Sequence, residues 1–278
     1  MNLEPSLLRP WLRSPWIRLV VATLAVVAAV AAASLAAAAL GGGLVAVMTV
    51  GLVAWPAYLA YVHLVERRSA TELAAPGAVR ELAAGTLVGA LLVSVVILVL
   101  WLSGACTVGR GDGVGALVPA VLAALGASVF EEILLRGIGF RLVEERLGSA
   151  MALMLTAALF GAGHALNGTT PLHCVAIAVE AGVLLAAAYM VTRRLWLPIG
   201  LHVGWNAAQS GIFGTSKLGD GFHGLLATQL NGPELLTGDR SGLDTSIVAV
   251  GVCVLAAAGL LWHVHQSGQW RHFRSRVV

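Results

Sequence analysis

The feature that most constrains this chain is a series of apolar segments long enough to cross a lipid bilayer. A membrane helix needs roughly 20 mainly apolar residues, and eight segments meet or approach that length. Only 11% of the 278 residues are charged, too few to cover ordinary soluble domains with polar surface. The predicted spans are Ile17–Leu40, Leu44–Val65, Leu82–Ser103, Ala116–Phe140, Met151–Leu166, Leu172–Val191, Leu195–Phe213 and Ile247–His265.

These spans predict an all-α, polytopic membrane protein of about eight transmembrane helices. We divide the chain into three parts. Residues 1–115 hold three N-terminal spans, residues 116–213 hold four further spans, and residues 214–278 hold an outer loop, the last span and a basic tail.

The basic residues orient the bundle. Most of the 17 Lys and Arg residues fall in segments that face the cytoplasm if the N-terminus is cytoplasmic, which is the usual bias of membrane proteins. The outer segments hold only Arg110, Lys217 and Arg240. We therefore predict that both termini are cytoplasmic. The net charge of +3 is not clustered as a nucleic-acid-binding surface requires, so no nucleic-acid partner is expected.

The fourth span contains a cluster of ionisable residues where lipid-embedded chains rarely keep them. Glu132 and Arg136 are four residues apart, so they share a helix face and can form an ion pair. Glu131 points about 100° away and has no local counter-charge. Intramembrane charge marks function by default, and a desolvated carboxylate is a better proton acceptor than an exposed one. A purely structural charge cluster is the alternative reading.

Two neighbouring spans add histidines. The fifth predicted span runs Phe160-Gly161-Ala162-Gly163-His164, and its glycines allow close backbone approach beside the imidazole. In the seventh span, His202 and Asn206 project from one helix face. This pair fits an interhelical hydrogen-bond clamp and equally a pair of donors for an oxyanion.

Together these groups supply the parts of a water-activated acyl hydrolysis. Glu131 and His164 would hold and deprotonate a water molecule, and His202 with Asn206 would stabilise the tetrahedral oxygen. Glu132 with Arg136 would set the helix geometry.

The motifs E-E-x-x-x-R, F-x-x-x-H and H-x-x-x-N, in this order on membrane helices, resemble the CAAX prenyl protease type 2 and bacteriocin-processing family, which includes lysostaphin resistance protein A-like proteins. Here they are Glu131-Glu132 to Arg136, Phe160 to His164, and His202 to Asn206. The resemblance implies an intramembrane endopeptidase of a bacterial plasma membrane, acting on a membrane-associated peptide or protein. It makes residues 116–213 the catalytic core and places the active site buried in the helix bundle. It assigns water activation to Glu131 and His164, and oxyanion stabilisation to His202 and Asn206. Leu135 departs from the aromatic residue that the family often has before the arginine.

The family is often described as metalloproteases, and two His with two Glu could in principle bind zinc. We favour metal-free water activation, since the sequence has no H-E-x-x-H helix and asparagine is a poor zinc ligand. No cofactor is then required, while a divalent metal such as zinc stays open. The sequence assigns no role to Glu180 in the sixth span or to the outer loop 214–245.

Other residues in the sequence suggest other functions. Gly109-Arg110-Gly111-Asp112 matches a G-x-G-D string of aspartyl intramembrane proteases, but no Asp lies within a predicted span. Ser128 with a histidine would be a rhomboid-type site. A proton-coupled transporter would also use intramembrane Glu, Arg and His, although no inverted repeat is present. A non-catalytic binding or immunity protein of the same family is the remaining alternative.

Overall fold

The computed structural model describes residues 13–39, 42–215, 224–238 and 242–273. Most of them are α-helical. The α-helices are α1 (Pro15–Ala39), α2 (Leu44–Tyr61), α3 (Ala78–Leu102), α4 (Leu117–Glu132), α5 (Arg141–Gly163), α6 (Pro171–Ile177), α7 (Val183–Thr192), α8 (Trp196–Ala207), α9 (Glu234–Thr237) and α10 (Ile247–Gln266). π-helical turns extend α2, α4, α6 and α8, over Val62–Glu66, Ile133–Phe140, Ala178–Gly182 and Ala208–Ile212. Short 3₁₀ turns cover Thr71–Leu73, Val114–Ala116, His164–Asn167 and Leu243–Thr245.

The prediction of a helical membrane protein is confirmed, and the count of eight spans is approximate. Within the described residues, 6 helical segments are long and apolar enough to cross a membrane. The fourth and fifth predicted spans are joined in one helical run, Val114–Leu166, of 53 residues. The seventh predicted span forms α8 and its π-helical extension, which are too short to be among the 6 segments. The chain is an integral, multi-pass membrane protein.

The long run changes direction at Gly148, where the backbone takes φ 78° and ψ 175° inside α5. A side chain there would be strained at this φ and would collide with the backbone of residues 271–273. The Ser149 amide donates to the carbonyl of Arg271 at 2.8 Å, and the Arg271 amide donates to Ser149 Oγ at 2.9 Å. The helical segment that leads to His164 therefore starts at Ser149, before the predicted Met151, and ends at Gly163.

Helices α3 and α8 pack with their backbones in close contact, and α3 has more contacts with α8 than with any other helix. Gly85 and Gly89 of α3 face Gly200 and Gly204 of α8, and a Cβ on any of the four would collide with the backbone of the opposite helix. Small residues at this spacing allow close approach between membrane helices, where packing replaces the hydrophobic effect. This seam fixes the position of α8, which carries two of the predicted site residues.

The strands were not predicted. β1 (Cys106–Arg110) pairs in antiparallel fashion with β2 (Leu226–Leu230), with Cys106 opposite Leu230. Part of the outer loop is thus tied to the connection that follows α3. The loop also contacts the end of the α8 extension, since the Leu225 amide donates to the Gly211 carbonyl at 2.7 Å. Lys217 and Arg240, two of the predicted outer basic residues, lie outside the described residues.

Arginines from several of the predicted cytoplasmic segments meet in ion pairs. Arg68 and Arg141 both bind Glu66, at 2.6 and 2.9 Å. Arg193 and Arg271 both bind Glu144, at 2.5 and 3.2 Å. These segments therefore lie at the same end of the bundle, as the positive-inside reading expects. Which compartment that end faces stays a prediction.

Candidate active site

The site is organised around a fully buried ion pair at the end of α4. Arg136 Nη1 lies 2.9 Å from Glu132 Oε1, and both side chains are 0% exposed. Arg136 Nη2 donates to the Gly182 carbonyl at 2.9 Å, and its guanidinium lies 5.2 Å from the centre of the Phe160 ring. The ion pair predicted from the four-residue spacing is therefore present. The other contacts of Arg136 connect it to α5 through Phe160 and to the turn before α7 through Gly182.

A π-helical turn follows Glu132 directly and carries Arg136. Such turns are rare and occur frequently at functional sites. The Gly137 carbonyl in this turn accepts hydrogen bonds from Tyr58 Oη at 2.9 Å and from Arg141 Nε at 2.8 Å. Side chains from outside the site thus hold the widened turn in place.

His202 lies between the two glutamates. Its Nδ1 is 3.1 Å from Glu132 Oε1, and its Nε2 is 3.9 Å from Glu131 Oε2. Since the ionised Glu132 accepts hydrogen bonds, Nδ1 carries a proton as donor. Glu132 therefore orients His202 as well as pairing with Arg136. The sequence did not reveal this contact, because it joins α4 to α8 across 70 residues.

His164 begins the 3₁₀ turn that follows α5. Its Nδ1 lies 2.9 Å from the Phe160 carbonyl, so Nδ1 is the donor and Nε2 keeps a lone pair. The Phe160 ring lies between the two histidines, with its centre 5.2 Å from the His164 ring and 5.7 Å from the His202 ring. Of the glycines predicted to permit close approach, Gly161 contacts the backbone of Cys174, whereas Gly163 faces open space.

One cavity brings the four predicted catalytic residues together. Glu131, His164, His202 and Asn206 all line the same cavity, as does Phe160. The Glu131 side chain is 35% exposed, so its carboxylate is accessible from this space. Ser128, the candidate nucleophile of the serine alternative, is fully buried and is not among the lining residues.

The cavity also has lining residues that were not placed in the predicted site. Glu180, Asp244 and Cys253 line it from other elements. Glu180 was visible in the sequence as a rare acid within a span, but its spacing matched no motif. Asp244 could not be found from the sequence, because it lies in the 3₁₀ turn of the outer segment and reaches the cavity only through tertiary packing.

Across the described ranges, no three His, Cys, Asp or Glu side chains are arranged so that they could hold a metal ion. The described residues therefore do not fit a three-ligand metal centre, and metal-free water activation stays a proposal.

The fold and cavity define a class: a multi-pass membrane protein with a glutamate and histidine site buried between its helices. Residues 113–208 match the family model of type II CAAX prenyl endopeptidases, described as Rce1-like. The match confirms the resemblance to the CAAX prenyl protease type 2 family over about a third of the chain, and it indicates CAAX-type intramembrane protease activity in general. No curated protein and no solved structure gives a significant match.

Proposed function

We propose that the protein is an intramembrane endopeptidase that hydrolyses a peptide bond with a water molecule activated by Glu131 and His164. The observation that carries this proposal is the shared cavity, lined by Glu131, His164, His202 and Asn206. The substrate would be a membrane-associated peptide or protein.

Each residue has a role that its contacts support. His164 uses Nδ1 to bind the Phe160 carbonyl, which leaves Nε2 to accept a hydrogen bond from water. Glu131 takes the proton as the hydroxide adds to the carbonyl carbon. The tetrahedral intermediate then collapses, the C–N bond breaks, and Glu131 returns the proton to the leaving amine. The products are a carboxylic acid, which then loses its proton to the surrounding water, and an amine.

The developing oxyanion needs donors on the opposite side of the reacting carbon. Asn206 offers its amide N–H, and its side chain makes no hydrogen bond with any described residue. A protonated His202 can donate with both ring nitrogens, through Nδ1 to Glu132 and through Nε2 into the cavity. Donors fixed in advance at the site of developing charge are usually the largest single contribution to such catalysis.

The test uses purified protein in lipid nanodiscs, a synthetic peptide library with prenylated and unprenylated members, and mass spectrometry to detect cleavage. We expect Glu131→Gln to lower kcat/KM by roughly 10²–10⁴-fold. Glu145→Gln is the matched control: Glu145 also lies on a helix and has a side chain exposed to a similar extent, 32%, but it is not among the cavity residues. It should retain activity.

Other results would contradict the proposal. Cleavage that survives Glu131→Gln would assign the reaction to another group. The binding or immunity protein would be supported instead by two results together. The wild type would cleave no peptide, and cells carrying Glu131→Gln would resist the same peptide toxin as cells carrying the wild type.

Metal-free water activation is a separate part of the proposal. Incubation of active protein with a chelator should leave kcat/KM unchanged, since no three-ligand set exists in the described residues. Complete loss of activity that added zinc restores would overturn this part alone.

A further inference from the structure

The charge of the cavity is unbalanced. Three of its lining residues are acids, Glu131, Glu180 and Asp244, and no Lys or Arg is among the described residues that line it. Glu131 has a role in the proposed hydrolysis. Glu180 and Asp244 have none, and they need a separate explanation.

Glu180 is the buried acid of this pair. It lies in the π-helical turn between α6 and α7 and is 1% exposed. Its Oε1 accepts a weak hydrogen bond from the Cys253 thiol, with an S···O distance of 3.6 Å. Its Oε2 is buried and has no hydrogen-bond partner among the described residues. A buried polar atom without a partner destabilises the fold. Because Glu180 also lines the cavity, a polar group bound there would be placed to supply this partner.

Asp244 is held rigidly beside the same cavity. Its Oδ1 accepts a hydrogen bond from Trp205 Nε1 of α8 at 2.8 Å. The following residue but one, Ser246, caps α10 by accepting from the amides of Val248 and Ala249. The turn that carries Asp244 is therefore fixed to both α8 and α10, and its carboxylate adds a second negative group to the cavity wall.

We infer that Glu180, together with Asp244, forms a subsite that binds a cationic side chain, Lys or Arg, of the substrate segment next to the scissile bond. The inference rests on the proposed function in one respect, because it takes the bound peptide to be the substrate. The binding itself does not require catalysis. A cation would give Glu180 Oε2 its missing partner and would favour the ionised form of both carboxyl groups. In a poorly solvated cavity such charge complementarity discriminates strongly between ligands.

The experiment compares peptides that differ at one position, Lys against the uncharged norleucine of similar length. The host is the library peptide that the wild type cleaves fastest, and the substitution is scanned through the residues on both sides of the cleavage site. We expect the wild type to prefer Lys by about tenfold in kcat/KM at one position. Glu180→Gln should bring this ratio close to one, while Glu145→Gln leaves it unchanged.

A binding measurement separates this inference from the proposed function. Fluorescence anisotropy on Glu131→Gln protein gives the Kd of a short Ala/Leu peptide carrying one Lys or one norleucine, whether or not the wild type cleaves anything. The Lys peptide should bind about tenfold more tightly, and adding Glu180→Gln should remove the difference.

Two outcomes would overturn the subsite. The Lys/norleucine ratio could be near one in the wild type, or it could survive Glu180→Gln. A surviving ratio with both peptides weakened equally would make Glu180 a packing residue. If Glu180→Gln does not fold, Asp244→Asn is the second variant. It should reduce the same ratio, and an unchanged ratio would be decisive against the inference.

Discussion

Two of the groups of charged residues in this apolar bundle differ in how completely their polar atoms are paired. The first, which we call the paired cluster, consists of Tyr58, Glu66, Arg68, Glu72 and Arg141. Glu66 and Glu72 each accept hydrogen bonds from arginine on both carboxylate oxygens, and Glu66 Oε1 also accepts one from Tyr61. None of the side-chain atoms of this cluster is buried without a partner.

The second group, which we call the site cluster, consists of Glu131, Glu132, Arg136, His202 and Glu180. Three of its buried atoms have no hydrogen-bond partner among the described residues: Glu132 Oε2, Arg136 Nε and Glu180 Oε2. Glu131, His202 and Glu180 also line the cavity. The difference teaches that an acid in a membrane bundle is not functional merely because it is charged. What distinguishes the site cluster is that it combines unused hydrogen-bonding capacity with side chains that line a cavity.

The largest expected effect separates the two clusters by activity. Glu131→Gln should lower kcat/KM by roughly 10²–10⁴-fold with little change in the melting temperature, because its side chain is partly exposed. Glu66→Gln, in the paired cluster, should lower the melting temperature and leave kcat/KM of the folded fraction near the wild-type value. Paired peptide-cleavage and thermal-unfolding measurements check both. If the two variants behave alike, the comparison fails.

The second effect is on stability within the site cluster. Glu132→Ala leaves the fully buried Arg136 without its counter-charge, which should lower the free energy of unfolding by about 3–5 kcal/mol. Chemical denaturation in detergent micelles measures this loss. The double variant Glu132→Leu with Arg136→Met removes both charges and the oxygen that accepts from His202 Nδ1, and it should recover most of the stability but none of the activity. Recovery of activity would show that Glu132 does not orient His202.

The third effect links the clusters. Tyr58 Oη binds the Gly137 carbonyl in the π-helical turn that carries Arg136, so Tyr58→Phe should cost about 0.5–1.5 kcal/mol of stability and should also lower kcat. Tyr61→Phe is the control, because the Tyr61 hydroxyl binds the Arg18 carbonyl and Glu66 rather than the turn. An equal effect of both substitutions on kcat would argue against positioning through Tyr58.

The smallest effect concerns pH. Burial alone would raise the pKa of Glu72, but the hydrogen bonds and charge of Arg68 outweigh it, so the pKa lies below its ordinary value of 4.5. The ionised carboxylate therefore stabilises the fold above pH 4.5, and this contribution is lost as the pH falls through the lowered value. The melting temperature should fall in this acidic range for the wild type and fall less for Glu72→Gln. Parallel curves would contradict the assignment.

The sequence was enough to predict the class of fold, and the four residues that it proposed as catalytic line one cavity. Intramembrane charge is rare, so Glu131, Glu132 and Arg136 were prominent, and spacings of four residues correctly predicted the pairing of Glu132 with Arg136. Their catalytic roles stay a proposal. The contact of Glu132 with His202, by contrast, depends on how α4 packs against α8, which local periodicity does not encode.

Other features were beyond prediction for related reasons. The position of Asp244 depends on where the outer segment folds back, and its polar sequence carried no sign of a buried contact. The strands β1 and β2 are short and far apart in the chain, so neither contains a recognisable hairpin signal. The break at Gly148 depends on the approach of residues 271–273, a contact that one helix's sequence cannot reveal.

The glycine seam between α3 and α8 has a consequence for how mutations in this protein should be read. Gly200 and Gly204 flank His202 along α8, on a surface where even one methyl group meets the backbone of α3. An alanine at Gly85 or Gly89, which are not among the residues lining the cavity, would push α8 sideways and carry the imidazole and the Asn206 amide with it. Distances between the side chains in the cavity thus depend on how closely α3 approaches α8. A glycine that does not line the cavity therefore helps to set the position of the groups that do.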